Sequence, residues 1–240
     1  MTETLQALAK THFDLTLSDA AAAAFDTYAA ELITWSERIN LTSITEPGEV
    51  RIKHFLDSLS VLTLPDLPEN AQVIDVGTGA GLPGMALGIV RPNWQVTLLE
   101  ATGKKVDFLN HVIQTLQLSN VSAVKMRAEE AGQHAQLRSK FDLVLARAVA
   151  RLPVLAEYLL PLGKVGGLCI AMKGETAHSE GDDAAYALQV LGGEVTTIQP
   201  VELPGIEQKH YLVCIRKTKK TPGEYPRRTG VPAKSPLLRG

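Results

Sequence analysis

The chain has 240 residues, 45% of them hydrophobic and 21% charged, a composition that excludes a mostly disordered protein and fits one α/β domain with an extension. Aromatic residues make up only 5%, so the core must rest on Leu, Val, Ile and Ala. The formal net charge of −2 hides an asymmetry: from Arg216 to Gly240 eight basic residues face only Glu224, a net +7, while residues 1–215 carry −9.

The first ten residues, MTETLQALAK, are polar and acidic, without the basic start and apolar stretch of a signal peptide. No uncharged apolar run approaches the ~18–20 residues that span a bilayer. Cys169 and Cys214 lie far apart in apolar stretches, as suits a reducing compartment. The six histidines show no metal-ligand spacing. We expect a cytoplasmic protein, acting as a monomer, with no membrane partner and no metal.

A helix is predicted near residues 3–10. Ser18 and Asp19 make an N-cap for a second, in which Phe25, Ala29, Leu32, Trp35 and Ile39 recur at spacings of three and four and form one apolar face. A third is predicted over about residues 50–64, before Pro65 and Pro68. From Gln72 the rhythm changes to short apolar strands alternating with helices: QVIDVG, QVTLLE, VSAVKMR, FDLVLARA and GGLCIAMKG, then EVTTIQPVEL and KHYLVCIRK. Such alternation means right-handed crossovers and a mostly parallel sheet. The LPGIEQ link between the last two strands is too short for a crossover helix, so those two pair antiparallel at a sheet edge. The fold class is a Rossmann-like α/β domain with seven strands, the last antiparallel. We divide the chain into a helical extension (1–68), a cofactor-binding domain (69–216) and a basic, Pro-rich tail (217–240).

The segment VIDVGTGAGLPG places Gly77, Gly79 and Gly81 directly after the first strand and before a helix. Glycines there permit a tight turn and close approach of a ligand, and the helix N-terminus would offer free N–H groups to an anionic group. The run from Gly79 to Gly84 also satisfies GxGxxG, a weak pattern taken alone. Glu100, closing the second strand, could take ribose hydroxyls of either a nicotinamide cofactor or S-adenosylmethionine. Three features favour S-adenosylmethionine. Asp75 lies in the first strand where a carboxylate suits a zwitterionic methionine end but not a pyrophosphate. Glu129, after Ala128 beyond the third strand, suits the adenine end. The antiparallel last strand is the third. An NAD(P)-dependent oxidoreductase stands as the alternative.

The chain resembles the GidB/RsmG family of ribosomal small-subunit RNA methyltransferases from about Leu17 to Leu238. The resemblance rests on ERINLTSI, RIKHFLDSL, VIDVGTGAGLPG, LLEATGKK, RAEE, FDLVLARAVARL, AMKG, KHYLVCIRK and TPGEYPRRTGVPAKSPL. Ser36 departs from the Asn common in relatives. The resemblance implies methyl transfer from S-adenosylmethionine to N7 of one guanosine in 16S rRNA of the small subunit, with a cofactor-binding ribosome-assembly factor without catalysis as the alternative. By position it puts cofactor contacts on Gly77 and Leu82, with Asp75 supporting, on Glu100, Ala101 and Thr102, on Ala128 and Glu129, and on Arg147.

Guanine N7 has a lone pair and no proton to lose, so its methylation needs alignment rather than a general base, and positioning alone can supply roughly 7–11 kcal/mol. Neither an [ND]PP[YF] motif nor an exposed cysteine nucleophile is present. No catalytic residue is assigned; Arg147 and Lys173 are the candidates. Arg147 ends a strand where ligands bind in such sheets and could donate to guanine O6, or could form a salt bridge. Lys173, Arg151, Arg216, Lys217, Lys219, Lys220, Arg227 and Arg228 are candidate RNA phosphate contacts, against solvated charges. His54 and Asp57, three apart, can hydrogen-bond each other and fix helix packing, or their face could line the cofactor or guanosine pocket. Phe55, Phe108 and Tyr158 are left by elimination to stack on a flipped guanine. Removing residues 217–240 is expected to weaken RNA binding and spare cofactor binding.

Overall fold

The computed structural model describes residues 3–239; Met1, Thr2 and Gly240, at the ends of the predicted extension and tail, lie outside them. Helix α1 (Leu5–Phe13) is capped by Thr4, and α2 (Asp19–Ser36) by Ser18, whose Oγ accepts from Ala21 N–H at 3.1 Å. The buried stripe of α2 is Ala21, Phe25, Tyr28 and Leu32; Ala29 and Trp35 are only half-buried and Ile39 lies past the helix end. A helical segment over residues 47–63, α3, follows. Its middle, Val50–Leu56, is wound as a π-helix, a form that recurs at functional sites.

The strands are β1 (Ala71–Val76), β2 (Trp94–Glu100), β3 (Val121–Lys125), β4 (Phe141–Arg147), β5 (Gly163–Lys173), β6 (Gly193–Val201) and β7 (His210–Lys217). Between them lie α4 (Gly84–Val90), α5 (Gly103–Thr115), α6 (Ala128–Gln133), α7 (Leu152–Leu159), α8 (Ala177–Asp183) and α9 (Ala185–Leu191), and the short α10 (Val231–Lys234) follows β7. They form one sheet in the order β3-β2-β1-β4-β5-β7-β6. All pairings are parallel except those of β7, which runs antiparallel to both neighbours.

Alternate residues of the strands feed two cores. Val73, Leu143, Ile170 and Cys214 point into one with the helices of residues 5–63, α4 and α5. Ile74, Val144, Cys169 and Val213 point into the other with α6 to α9. A sheet covered on both faces needs near-continuous apolar strands, which explains DVG, LVLA and LCIAM. The strand directions place the C-terminal ends of β1 to β5 and the N-terminal end of β7 on one edge. The C-terminal end of β7 is at the opposite edge, five residue steps or about 17 Å from Tyr211 to Arg216.

Candidate cofactor and acceptor site

The turn after β1 holds Gly77, Gly79 and Gly81 at φ of +68°, +59° and +97°, a region that L side chains rarely adopt. The three differ in role. At Gly79 a Cβ would meet nothing within 4 Å, so this position faces open space. At Gly81 a Cβ would stand 2.7 Å from the Tyr28 hydroxyl, which itself donates to Ala80 O at 2.5 Å. Gly81 and Leu82 are buried, and at Gly81 the missing side chain makes room for Tyr28 of α2. Tyr28, which sequence reasoning missed, is why the second core helix meets the turn here.

Asp75 is fully buried beneath the turn. Its Oδ2 accepts from Thr78 Oγ1 at 2.5 Å and Gly84 N–H at 2.8 Å, while Oδ1 has no partner. Burial pushes its carboxyl up to about 6, against the opposing pull of Thr78, Gly84 and Arg147. The first N–H of α4 is therefore taken by Asp75, and Met85 N–H by Gly81 O. Two of the predicted free donors at this helix start are thus already occupied. An unpaired buried carboxylate oxygen costs about 1–3 kcal/mol, a deficit that a cationic group placed there would offset.

Glu100, at the end of β2, is nearly buried and accepts from Gly79 N–H at 3.1 Å and Thr102 N–H at 2.8 Å. Ala101 is half-buried and Thr102 exposed beside it. Ala128 opens α6, and Glu129 follows with 7% exposure, its Oε1 accepting Gly230 N–H at 2.8 Å. The ends of three adjacent strands thus bring together an open glycine, Glu100 and Glu129, with Asp75 below. The residues fit S-adenosylmethionine: the orphaned Asp75 Oδ1 suits its ammonium, Glu100 its ribose hydroxyls, and the uncovered Gly79 backbone leaves room between them.

Arg147 ends β4 and is tied to α3. NH1 donates to Asp57 Oδ2 at 2.9 Å and to Lys53 O at 3.1 Å, and NH2 lies 3.4 Å from His54 Nδ1. Asp57 Oδ1 is 3.2 Å from His210 Nδ1, at the start of β7. His54 Nε2 is 2.8 Å from Thr42 Oγ1, and burial, followed by Arg147, pushes the His54 ring down to about 4, so it is neutral at pH 7. His54 and Asp57 therefore do not bond each other; both converge on Arg147. A cavity of about 500 Å³ opens here, with Lys53, His54, Asp57, Arg147, His210 and Tyr211 among its walls. His210 was not singled out from the sequence, because only the antiparallel β7 carries it to this edge.

Several expected RNA contacts are already paired within the protein. Lys173 pairs with Glu180 at 2.7 Å and donates to Ala150 O while lining the same cavity as Arg147. Lys217 is fully buried, donating to Leu160 O and Gly163 O, and burial pushes it down to about 8. Arg227 makes a two-pronged pair with fully buried Glu157. Arg151 is exposed and paired with Asp183; Arg216, Lys219, Lys220 and Arg228 are exposed. Of these, Arg216 donates to Gly166 O, and Lys219 packs by Gly192, at the edge opposite the cavity. The tail is a packed segment and not a free arm: removing residues 217–240 would take away the end of β7.

The proposed stacking residues are corrected too. Phe55 and Phe108 are buried with Phe25, Tyr28 and Trp35 in an aromatic cluster, and Tyr158 is buried under the tail. Both cysteines are buried, and burial pushes Cys169 up to about 12 and Cys214 to about 11, so neither is a nucleophile at neutral pH. Among the described residues no group of three or more His, Cys, Asp or Glu is placed to hold a metal ion. No described helix is long and apolar enough to cross a membrane.

A dinucleotide-binding sheet runs 3-2-1-4-5-6 in parallel throughout; here the antiparallel β7 is inserted between β5 and the edge. That order, with the turn after β1 and acidic side chains beyond β2 and β3, defines a class I S-adenosylmethionine-dependent methyltransferase. Solved structures agree at the level of fold. P. horikoshii TYW2 in complex with MeSAdo has a TM-score of 0.54 at 14% identity, covering 68% of this chain and 62% of that one. TrmN from Thermus thermophilus has 0.51 at 17%, covering 67% and 48%. Residues 21–211 match the family model GidB, rRNA small subunit methyltransferase G, and the chain belongs to that family. It is 47% identical over 232 residues to the ribosomal RNA small subunit methyltransferase G of Desulforamulus reducens, covering 97% of this chain and 96% of that one. The protein of that name from Bacillus cereus is 44% identical over 223 residues, with 93% of each chain covered.

Proposed function

We propose that this methyltransferase acts in the cytoplasm, as a monomer, on 16S rRNA of the small ribosomal subunit, and methylates N7 of one guanosine. The observation that carries the reading is the cavity at Arg147, which opens at the same sheet edge as the glycine turn and holds a fixed guanidinium in its wall. Arg147 is held by Asp57 and Lys53 O, and His54 is tied to Thr42 and Arg147. Asp57 is occupied by Arg147 and His210. A nucleophile with its own lone pair, such as guanine N7, needs only alignment.

The cofactor, when bound, supplies an electrophilic methyl on a cationic sulfur. The chain's own residues hold it: Asp75 takes the ammonium, the Gly77–Gly79 backbone lies along it, Glu100 with Ala101 and Thr102 takes the ribose, and Ala128 and Glu129 take the adenine. Arg147 orients the acceptor by donating to guanine O6 and leaves N7 free. The extension (1–68) provides one wall of the acceptor cavity through Lys53, His54 and Asp57. Phosphate contacts come from exposed cations at this edge, Lys209 before β7 and Arg228 in the tail, together with Lys53 at the cavity. Incubating the enzyme with tritiated S-adenosylmethionine and small subunits or their naked rRNA tests this. Label released as 7-methylguanosine is expected; label on another nucleoside, or none, contradicts it.

A further inference from the structure

Beyond β7 the chain folds back across α6 and α7, and it is held there by buried polar contacts. Glu157 has no exposed surface within α7, a helix otherwise apolar on that side. It accepts the backbone N–H of Arg227 at 2.7 Å and its guanidinium at 2.6 to 3.1 Å. Arg227 also donates to Ser235 O at 2.9 Å, so the intervening loop is closed at both ends. Arg138 and Gln133 donate to five carbonyls of the tail, those of Thr221, Pro222, Gly223, Tyr225 and Pro226. Within the closed loop, Gly230 at φ +81° turns its N–H onto Glu129 Oε1.

A tail that served only as a clamp could use apolar contacts, because a buried ion pair is a poor source of stability compared with a hydrophobic replacement. What the pair provides is placement: a fork-shaped guanidinium on a buried carboxylate fixes its backbone in one register. That register decides where Gly230 stands, and Gly230, together with the Tyr158 hydroxyl of α7, holds the Glu129 carboxylate in one orientation. A free Glu side chain loses rotamer entropy when it binds; one already held does not.

We propose that the C-terminal segment is part of the cofactor site, with Glu157, Arg227 and Gly230 acting as positioning residues that fix Glu129 for the adenine amino group. This rests on the assignment of Glu129 to the adenine end made above. It reverses the expectation that cofactor binding is independent of the tail.

The test measures binding of S-adenosylhomocysteine and of its inosine analogue, in which the amino donor is replaced by a carbonyl, to the full-length protein and to Glu129→Gln, Arg227→Ala and Arg227→Lys. The natural protein is expected to prefer the adenine form. Arg227→Ala is expected to lose roughly tenfold in affinity for the adenine form, the worth of one hydrogen bond to a charged group, and to leave the inosine form nearly unchanged, so that the preference collapses. Arg227→Lys is expected to fall between, and it decides the matter by the same ratio if the alanine variant does not fold. If Glu129→Gln erases the preference but both Arg227 variants keep it, the positioning role is overturned and the tail is a clamp only. If Glu129→Gln keeps the preference, the assignment of Glu129 is wrong and the proposal falls with it.

Discussion

The two halves of the site are built in different ways. On the β1–β3 side the ligand groups sit on consecutive strand ends, and the partners of two of them are near in sequence, Asp75 with Thr78 and Gly84 and Glu100 with Gly79 and Thr102, while Glu129 alone reaches far, to Gly230. On the β4–β7 side every important contact is remote. Arg147 meets Asp57 ninety positions away, and His210 meets Asp57 across 153. The cofactor half is therefore mainly a local motif placed by the backbone, with Glu129 the exception. The acceptor half exists only when the helical extension, the parallel strands and the antiparallel strand are all assembled.

The largest effect separating the halves is expected from Arg147→Ala. It leaves nearly buried Asp57 without its guanidinium, and breaking such a pair costs about 3–5 kcal/mol. Urea unfolding should show that loss, and single-turnover methyl transfer should fall about a hundredfold or more in protein that remains folded. An active, fully stable variant would mean that the ion pair does not build the acceptor cavity.

Two glycine substitutions should split stability from binding within the cofactor half. A Cβ at Gly84 would stand 2.6 Å from Leu98 and 2.8 Å from Asp75, so Gly84→Ala is expected to cost about 1–3 kcal/mol by overpacking. Gly79→Ala meets no neighbour and costs only the left-handed strain, about 1–2 kcal/mol, yet it fills the space assigned to the cofactor. Calorimetry should find the binding loss concentrated in Gly79→Ala.

A pH dependence follows from Asp75. Burial raises its folded value to about 6, and an ammonium ligand favours the ionised form, so S-adenosylmethionine affinity should rise as pH increases through about 6 and level off above it. Asp75→Asn should flatten that rise. A profile unchanged by Asp75→Asn would remove the ammonium from this position.

The smallest effects are expected from surface charge. Lys209→Glu, near the cavity, should weaken RNA binding and lower its salt slope by about one. Lys219→Glu with Lys220→Glu, at the opposite edge, should change it less. The reverse ranking would place the RNA on the wrong face of the sheet for this account.

The cofactor half was legible in the sequence because its signals are short-range: a glycine turn after an apolar strand, an acid closing the next strand, and another after the third. The strand order was legible from the alternation of strands and helices, and the antiparallel pair from a link too short for a helix. What the sequence concealed were burial and long-range pairing. Lys173, Lys217 and Arg227 read as free cations until Glu180, the carbonyls at Leu160 and Gly163, and Glu157 are seen to occupy them. Glu157 did leave one trace, a lone carboxylate in LPVLAEYL, the kind of signal that marks a partner elsewhere in the chain. Charge counts carry no information about which cations are already spent. The sparse aromatics misled for a related reason: Phe55 and Phe108 were needed to fill the core under α2.

The central claim is the reaction and its target, and one comparison reaches both. Ribosomal RNA from cells with and without this gene is treated with borohydride and aniline, which cleave at 7-methylguanosine. The account predicts a single cleavage site in small-subunit RNA that is present with the gene and absent without it. An identical pattern in the two strains would contradict it, leaving the cofactor fold in place and the methyl acceptor to be sought elsewhere.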